Sequence, residues 1–357
     1  MNTIIIKVDE LNLKQEELRE AAGILREGGL VAFPTETVYG LGANALDTQA
    51  AQKIYEAKGR PSDNPLIVHI SEVSDMEVLA RDIPEKAYQL ANIFWPGPLT
   101  IILKKRDCVP YGTTGGLDTV AIRLPANPIA RGLIAESGVY VAAPSANLSG
   151  KPSPTKAEHV IKDMSGKIDM IIDGGMATLG LESTIIDLSG SKPVILRPGC
   201  ITKIMLENVI GPVEIDPAIL SKNPDPQAVP KAPGMKYRHY APEGMLTIYE
   251  GDTILVVDAI NQKAKEKLDG GKCVGIIATD ETRALYQYGI IKTIGSRMDE
   301  ASIAAGLYAI LREFDELHAE YIYSESFADN SLGHAIMNRL LKAAGYRVIK
   351  VTESEVH

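Results

Sequence analysis

A chain of 357 residues, 45% hydrophobic and 23% charged, exceeds one ordinary core and reads as two globular domains. Its formal net charge of -9 argues against a dedicated nucleic-acid binder, whose affinity rests on cationic phosphate contacts, while leaving room for a local basic cleft. Cys108, Cys200 and Cys273 are too few and too separated for a disulfide framework or a zinc site. With no signal-type stretch at the start and no run near the ~20 apolar residues of a membrane helix, a cytoplasmic chain without membrane attachment is expected.

Residues 1–212 hold short β-type runs at Leu30–Phe33, Leu66–Ile70, Thr100–Leu103, Thr119–Leu124, Val139–Ala142, Met170–Asp173, Thr184–Leu188 and Val194–Arg197. Helical patterns cover Gln15–Glu27, Gln49–Lys58, Pro84–Phe94 and Pro128–Ser137. Proline and glycine sit at the strand ends, as turns require, and the domain reads as mixed α/β. Residues 213–243 carry Pro217, Pro224, Pro226, Pro230, Pro233 and Pro242, which marks a linker. Its end, Lys236-Tyr-Arg-His-Tyr240, gathers two aromatics and three basic groups, a composition suited to a lid over a bound nucleotide or to a basic tether on the acidic surface of the first domain.

Residues 244–357 alternate. Strands are expected at Thr253–Ala259, Lys272–Thr279, Ile290–Gly295, Ala319–Ser324 and Arg347–Val351. Helices are expected at Asn261–Leu268, Thr282–Tyr288, Asp299–His318 and Gly333–Ala344. Such alternation implies a parallel sheet covered by helices. The long helix places Ile303, Leu307, Ile310, Leu311, Phe314 and Leu317 on one face.

Several chemistries are absent from the sequence: no P-loop, no His-x-x-x-His or Cys-x-x-Cys metal pair, no Gly-x-Ser-x-Gly elbow. Gly40-Leu-Gly42 fits a relaxed dinucleotide fingerprint, which would make a nicotinamide oxidoreductase, or a plain glycine turn. The first reading needs a helix opening at the glycines, whereas Asp47 is the expected cap of the next helix. Lys58 and Arg60 end a helix before a loop braced by Pro61 and Pro65. They suit either helix-dipole compensation or a polyphosphate. His69 lies on an apolar strand, as a satisfied core residue or a ligand group. Alternation puts Thr119, Ala121 and Arg123 on one strand face, where the arginine needs an anion, either a structural carboxylate or a substrate. Ser145, Asn147, Ser149 and Ser153 form a polar series on a proline-pinned loop. Ser183 and Arg197 add to the set, and together these strand ends suggest an anion-binding cleft in an acidic chain.

The runs Pro34-Thr-Glu-Thr-Val-Tyr-Gly-Leu-Gly, Lys58-Gly-Arg60-Pro, Asn64-Pro-Leu-Ile-Val-His69, Trp95-Pro-Gly-Pro-Leu-Thr, Ala143-Pro-Ser145-Ala-Asn147, Gly180-Leu-Glu-Ser183-Thr and Arg197-Pro-Gly resemble the YrdC-domain family. With Ala232-Pro-Gly-Met-Lys-Tyr-Arg-His-Tyr240 and Gly333-His-Ala-Ile-Met-Asn-Arg, they resemble its two-domain form, the threonylcarbamoyl-AMP synthases, over nearly the whole chain. The resemblance implies a twisted α/β domain with a large positive cleft (1–212), a linker crossing it (213–243) and a Rossmann-like C-terminal domain (244–357). It implies that ATP, bicarbonate and L-threonine give threonylcarbamoyl-adenylate and pyrophosphate. Downstream proteins then modify the tRNA adenosine beside the anticodon. Mg²⁺ would arrive with ATP, with no tightly bound cofactor and no dedicated metal site.

From it follow candidate roles. Lys58, Arg60, Ser145 and Asn147 form the family's hallmark catalytic set. Thr35, Thr37, His69, Arg123, the Ala143 backbone and Ser183 would bind threonine. Lys58, Arg60, Asn64, Thr119, Ser145, Ser153, Arg197 and Tyr240, with Asn147, would hold ATP. The alternative is an RNA-binding module, and the net charge still allows weak RNA contact.

Overall fold

The buried β-branched runs of the first 215 residues form a single mixed sheet. The computed structural model describes residues 2–220, 230–233, 235, 240–327 and 332–352. The chain divides into two units, residues 1–149 with 153–237, and residues 150–152 with 238–357. In the first unit the strands are β1 Ile4–Lys7, β2 Val31–Phe33, β3 Gly40–Asn44, β4 Ile67–His69, β5 Ala80–Arg81 and β6 Leu99–Lys105. They continue as β7 Thr119–Arg123, β8 Val141–Ala142, β9 Met170–Asp173, β10 Thr184–Asp187, β11 Val194–Arg197 and β12 Glu214–Ile215. Their order is β1-β9-β2-β3-β8-β4-β7-β6-β10-β11-β12, with β5 paired to β6.

Register decides which side chains meet. Parallel β4 and β7 pair Ile67 with Ala121 and His69 with Arg123. Antiparallel β6 sets Ile102 opposite Ala121, and parallel β10 sets Ile185 opposite Thr100. Directly paired residues share a face. That face carries an apolar floor of Ile67, Ile102, Ala121 and Ile185, buried with Leu196 and Ala232, and ends in His69 and Arg123. The alternate residues Val68, Ile101, Val120, Ile122 and Ile186 enter the main core on the other side. A further apolar cluster joins the helices Arg19–Arg26 and Pro128–Ser137 to β2 and β9.

The Gly40-Leu-Gly42 run is neither a turn nor a dinucleotide loop but strand β3. The glycines are there for space: a Cβ on Gly42 would stand 2.7 Å from Val141 Cγ1 and 2.8 Å from Phe33 Cε1. The next helix, Thr48–Lys58, is capped by Asp47, whose Oδ1 accepts the Gln49 amide at 2.8 Å. Part of the stretch read as linker has regular structure, in β12 and the short helix Pro217–Leu220.

The second unit is a fully parallel sheet of β13 Met245–Glu250, β14 Val274–Ala278, β15 Ile290–Thr293, β16 Tyr321–Glu325 and β17 Val348–Lys350, ordered β15-β14-β16-β13-β17. Two expectations fail here. Thr253–Ala259 is not a strand but the opening of the helix Thr253–Asp269, capped by Asp252. Its β-branched start hides a helical stripe of Val256, Val257, Ile260 and Ala264, and the strand is the preceding β13. Thr282–Tyr288 contains only a single 3₁₀ turn, Arg283–Leu285. The long helix runs Glu300–Glu316 and buries Ile303, Leu307, Ile310, Leu311 and Phe314, while Leu317 lies beyond its end and is exposed.

Candidate active site

Backbone hydrogen bonds stitch three loops of the first unit together, those after β2, β8 and β9. Tyr39 N–H donates to Pro154 O at 2.9 Å, and Leu41 N–H to Pro144 O at 2.9 Å. Ala146 N–H donates to Tyr39 O, and Leu179 N–H to Glu36 O, each at 2.8 Å. Loops pinned to one another in this way hold side chains without help from a ligand.

The loop after β2 carries Thr35, Glu36 and Thr37, all buried. Arg123 Nη1 donates to Thr37 Oγ1 at 2.9 Å. Thr35 Oγ1 donates to Val38 O at 2.6 Å and lies 2.8 Å from Thr37 Oγ1. With the Thr35 proton committed, Thr37 must donate to Thr35, so the relay runs from Arg123 through Thr37 and Thr35 to the backbone. Arg123 Nε also donates to Gly97 O at 3.3 Å, and its Nη2 stands 2.6 Å from Glu36 Oε1. A carboxylate, that of Glu36, thus stands beside Arg123.

His69 sits beside Arg123, its ring edge-on to Phe33 with centroids 6.2 Å apart. Its Nδ1 lies 3.2 Å from Ile67 O. Burial, and secondarily the Arg123 guanidinium, push its pKa down to about 3, so the imidazole is neutral at neutral pH. It offers hydrogen bonds, not charge.

Lys58 and Arg60 are buried, and both bind carbonyls. Lys58 Nζ donates to Ser145 O at 2.5 Å and also to Asn147 O. Arg60 Nη2 donates to Pro65 O at 3.1 Å, and its Nε to Asn64 O at 3.4 Å. The lysine thus links the end of its helix to the Ser145–Asn147 loop, where Ser145 Oγ donates to Asn147 Oδ1 at 2.5 Å. Of the hallmark four, these bonds join Lys58, Ser145 and Asn147, while Arg60 bonds to the Asn64–Pro65 backbone. Asn64 Oδ1 is buried without a hydrogen-bond partner among the described residues.

Arg197 is placed by a bulge between Ile185 and Ile186 that sets it opposite Ile185, a common use of bulges. It donates to Ser183 O at 3.0 Å, Ser183 Oγ at 3.1 Å and Pro233 O at 3.4 Å. Ser183 Oγ also meets Thr100 Oγ1 at 2.7 Å. Ser153 Oγ donates to Glu182 Oε1 at 2.6 Å. Thr119 is half-buried at the start of β7. The Ala143 amide is occupied by Ile67 O at 2.8 Å.

Ala232, fully buried, and Met235 pack on the apolar floor of the first unit. The proposed lid residues Lys236–His239 lie outside the described residues. Tyr240 belongs to the second unit, with φ 65° and its ring 5.1 Å from that of Tyr308. Sequence reading left out Glu36, Thr100 and Glu182. For Glu36 a signal existed: an acid between two threonines in a buried run, where a lone strand arginine also lacked an anion.

The chain that builds this mixed sheet and its buried cations, hydroxyls and neutral histidine falls in the Sua5/YciO/YrdC class. Residues 23–199 match that family, described as telomere recombination, and residues 201–345 match the threonylcarbamoyl-AMP synthase C-terminal domain. The chain belongs to the threonylcarbamoyl-AMP synthase family. It is 52% identical to the Bacillus subtilis threonylcarbamoyl-AMP synthase over 96% of this chain and 97% of that one. It is 51% identical to the Pyrococcus abyssi threonylcarbamoyl-AMP synthase, over 98% and 100%. The crystal structure of P. abyssi Sua5 complexed with L-threonine superimposes with a TM-score of 0.92 at 49% identity, covering 98% of this chain and 100% of that one.

Proposed function

We propose that this chain is an L-threonylcarbamoyladenylate synthase, a nucleotidyltransferase that converts ATP, L-threonine and bicarbonate to threonylcarbamoyl-AMP and pyrophosphate. The product supplies the threonylcarbamoyl group that downstream proteins attach to tRNA. The observation that carries this reading is the buried Arg123–Glu36–Thr37–Thr35 cluster beside neutral His69, in a chain that resembles, over nearly its whole length, a relative solved with L-threonine.

The chemistry joins two anions, since a carbamate oxygen must attack the α-phosphorus of ATP. Repulsion between them has to be offset and the attack held in line. Lys58, Arg60 and Arg197 supply the positive charge for the nucleotide phosphates. Asn64, Thr119, Ser145, Asn147 and Ser153 supply polar contacts for the nucleotide. Arg123 takes the threonine carboxylate, and His69 a hydrogen bond to its hydroxyl. Thr35, Thr37, Ala143 and Ser183 frame that pocket. Residues 1–212 form the catalytic domain in this reading. In this reading Mg²⁺ enters with ATP, bound through the substrate phosphates. Among the described residues no helix is long and apolar enough to cross a membrane.

The test is pyrophosphate release with ATP, threonine and bicarbonate omitted in turn. Release is expected only with all three. Equal release with serine, or without an amino acid, overturns the threonine assignment.

A further inference from the structure

Glu36 is buried on the loop after β2, with an exposure of 9%. Its Oε1 stands 2.6 Å from Arg123 Nη2, yet that approach lacks hydrogen-bond alignment. Among the described residues neither Glu36 oxygen, nor Arg123 Nη2, has a hydrogen-bond partner. The pair is therefore an ion pair by distance alone. A buried carboxylate in this condition is costly unless another donor completes it.

The side chain does not hold its own loop. That work falls to the Glu36 carbonyl, which accepts the Leu179 amide at 2.8 Å and the Thr178 hydroxyl at 3.4 Å. Arg123, by contrast, is fixed from two sides by Gly97 O and Thr37 Oγ1. One cation and one anion with unused hydrogen-bonding capacity thus lie side by side, next to an uncharged imidazole. Their charges match an amino-acid zwitterion: its carboxylate on Arg123 leaves its ammonium facing Glu36.

We propose that Glu36 is a catalytic residue that receives the substrate ammonium and accepts one proton from it. The inference rests on the function proposed above. An ammonium has no lone pair and cannot attack carbon. Transfer of one N–H proton to a Glu36 oxygen frees the amine. The amine nitrogen then forms a bond to the bicarbonate carbon, and the carbon–hydroxyl bond breaks. The departing hydroxide takes a second nitrogen proton and leaves as water. The resulting carbamate carboxylate is the nucleophile for the α-phosphorus, and Glu36 returns its proton to solvent. No oxidation state changes.

The experiment measures threonine-dependent pyrophosphate release by wild type, Glu36→Gln and Glu36→Asp from about pH 6.5 to 9.5, with ATP affinity measured separately. A general base typically contributes 10²- to 10⁴-fold, so Glu36→Gln is expected to lose at least about 100-fold in kcat/KM for threonine near pH 7. Its ATP affinity should hold. The deficit should shrink as pH rises, because the amine then deprotonates in solution. A deficit that is constant with pH overturns the proposal in favour of a simple counter-ion for Arg123, and no deficit overturns it outright. Where Glu36→Gln fails to fold, Glu36→Asp decides: a lowered kcat on the wild-type pH profile supports the proposal, and an unchanged kcat overturns it. A wild-type chain with no threonine-dependent release overturns the underlying function, and this inference with it. Wild-type activity with a flat Glu36→Gln deficit overturns the inference alone.

Discussion

Replacing His69 with glutamine should abolish a distinct pH dependence of stability. The folded pKa of about 3 lies below the ordinary 6.5, so folding favours the neutral ring. Stability from this source is complete above pH 6.5 and falls as the pH drops toward 3, because only the unfolded chain takes up the proton. At pH 5 the uptake stabilises the unfolded chain by RT ln(1 + 10^1.5), about 2 kcal/mol, against less than ~0.1 at pH 7.5. The ring is 4% exposed, so solvent screening removes little of this. Urea unfolding at several pH values, followed by the fluorescence of Trp95, reads the first unit selectively. It is the single tryptophan of the chain, buried there with Nε1 donating to Leu99 O at 2.7 Å. The difference in unfolding free energy between wild type and His69→Gln should narrow by about 2 kcal/mol from pH 7.5 to pH 5. A difference that stays flat to within about 0.5 kcal/mol would show that the folded ring titrates normally. The neutral-imidazole account of the site would then be wrong.

Two further substitutions probe how the site is held. Gly42→Ala puts a methyl 2.7 Å from Val141 Cγ1 and 2.8 Å from Phe33 Cε1. The expected cost is about 1–3 kcal/mol by the same urea assay, partly restored by adding Val141→Ala; a stabilised single variant would refute the steric account. Lys58→Met removes the donor to Ser145 O and Asn147 O. It should cost about 1–3 kcal/mol and weaken ATP binding in calorimetry, and unchanged values for both would separate Lys58 from the loop it links.

What the sequence made legible was local. Alternation placed Thr119, Ala121 and Arg123 on one face, and the register with Ile67 and His69 agrees. Asp47 and its helix were readable because a cap and its amide lie two residues apart. Failures came where a partner is distant or a signal is shared between states. Thr253-Ile-Leu-Val-Val is equally a strand core and a helix start, and Asp252 as cap, with β13 before it, settles the matter. Gly40 and Gly42 read as turn residues because periodicity says nothing of a phenylalanine and a valine packed over a strand. Glu36 and Arg123 are 87 positions apart, so no local pattern joins the carboxylate to the arginine. The arginine was singled out and the glutamate was not, and only the fold pairs them.

That pairing also refines the idea of a uniformly positive cleft. Lys58, Arg60 and Arg197 make hydrogen bonds to the carbonyls of Ser145, Asn147, Pro65, Ser183 and Pro233. A carbonyl dipole orients a cation while leaving its formal charge in place, and such a bond can be exchanged for one to a phosphate oxygen without creating a buried anion. Beside Arg123 stands a carboxylate. An incoming polyphosphate near Arg123 would face Glu36 as a like charge, while a zwitterion would meet both partners. In the proposed reading, Glu36 favours a zwitterion over a polyphosphate at Arg123, a discrimination by contacts that is compatible with a chain whose net charge is -9.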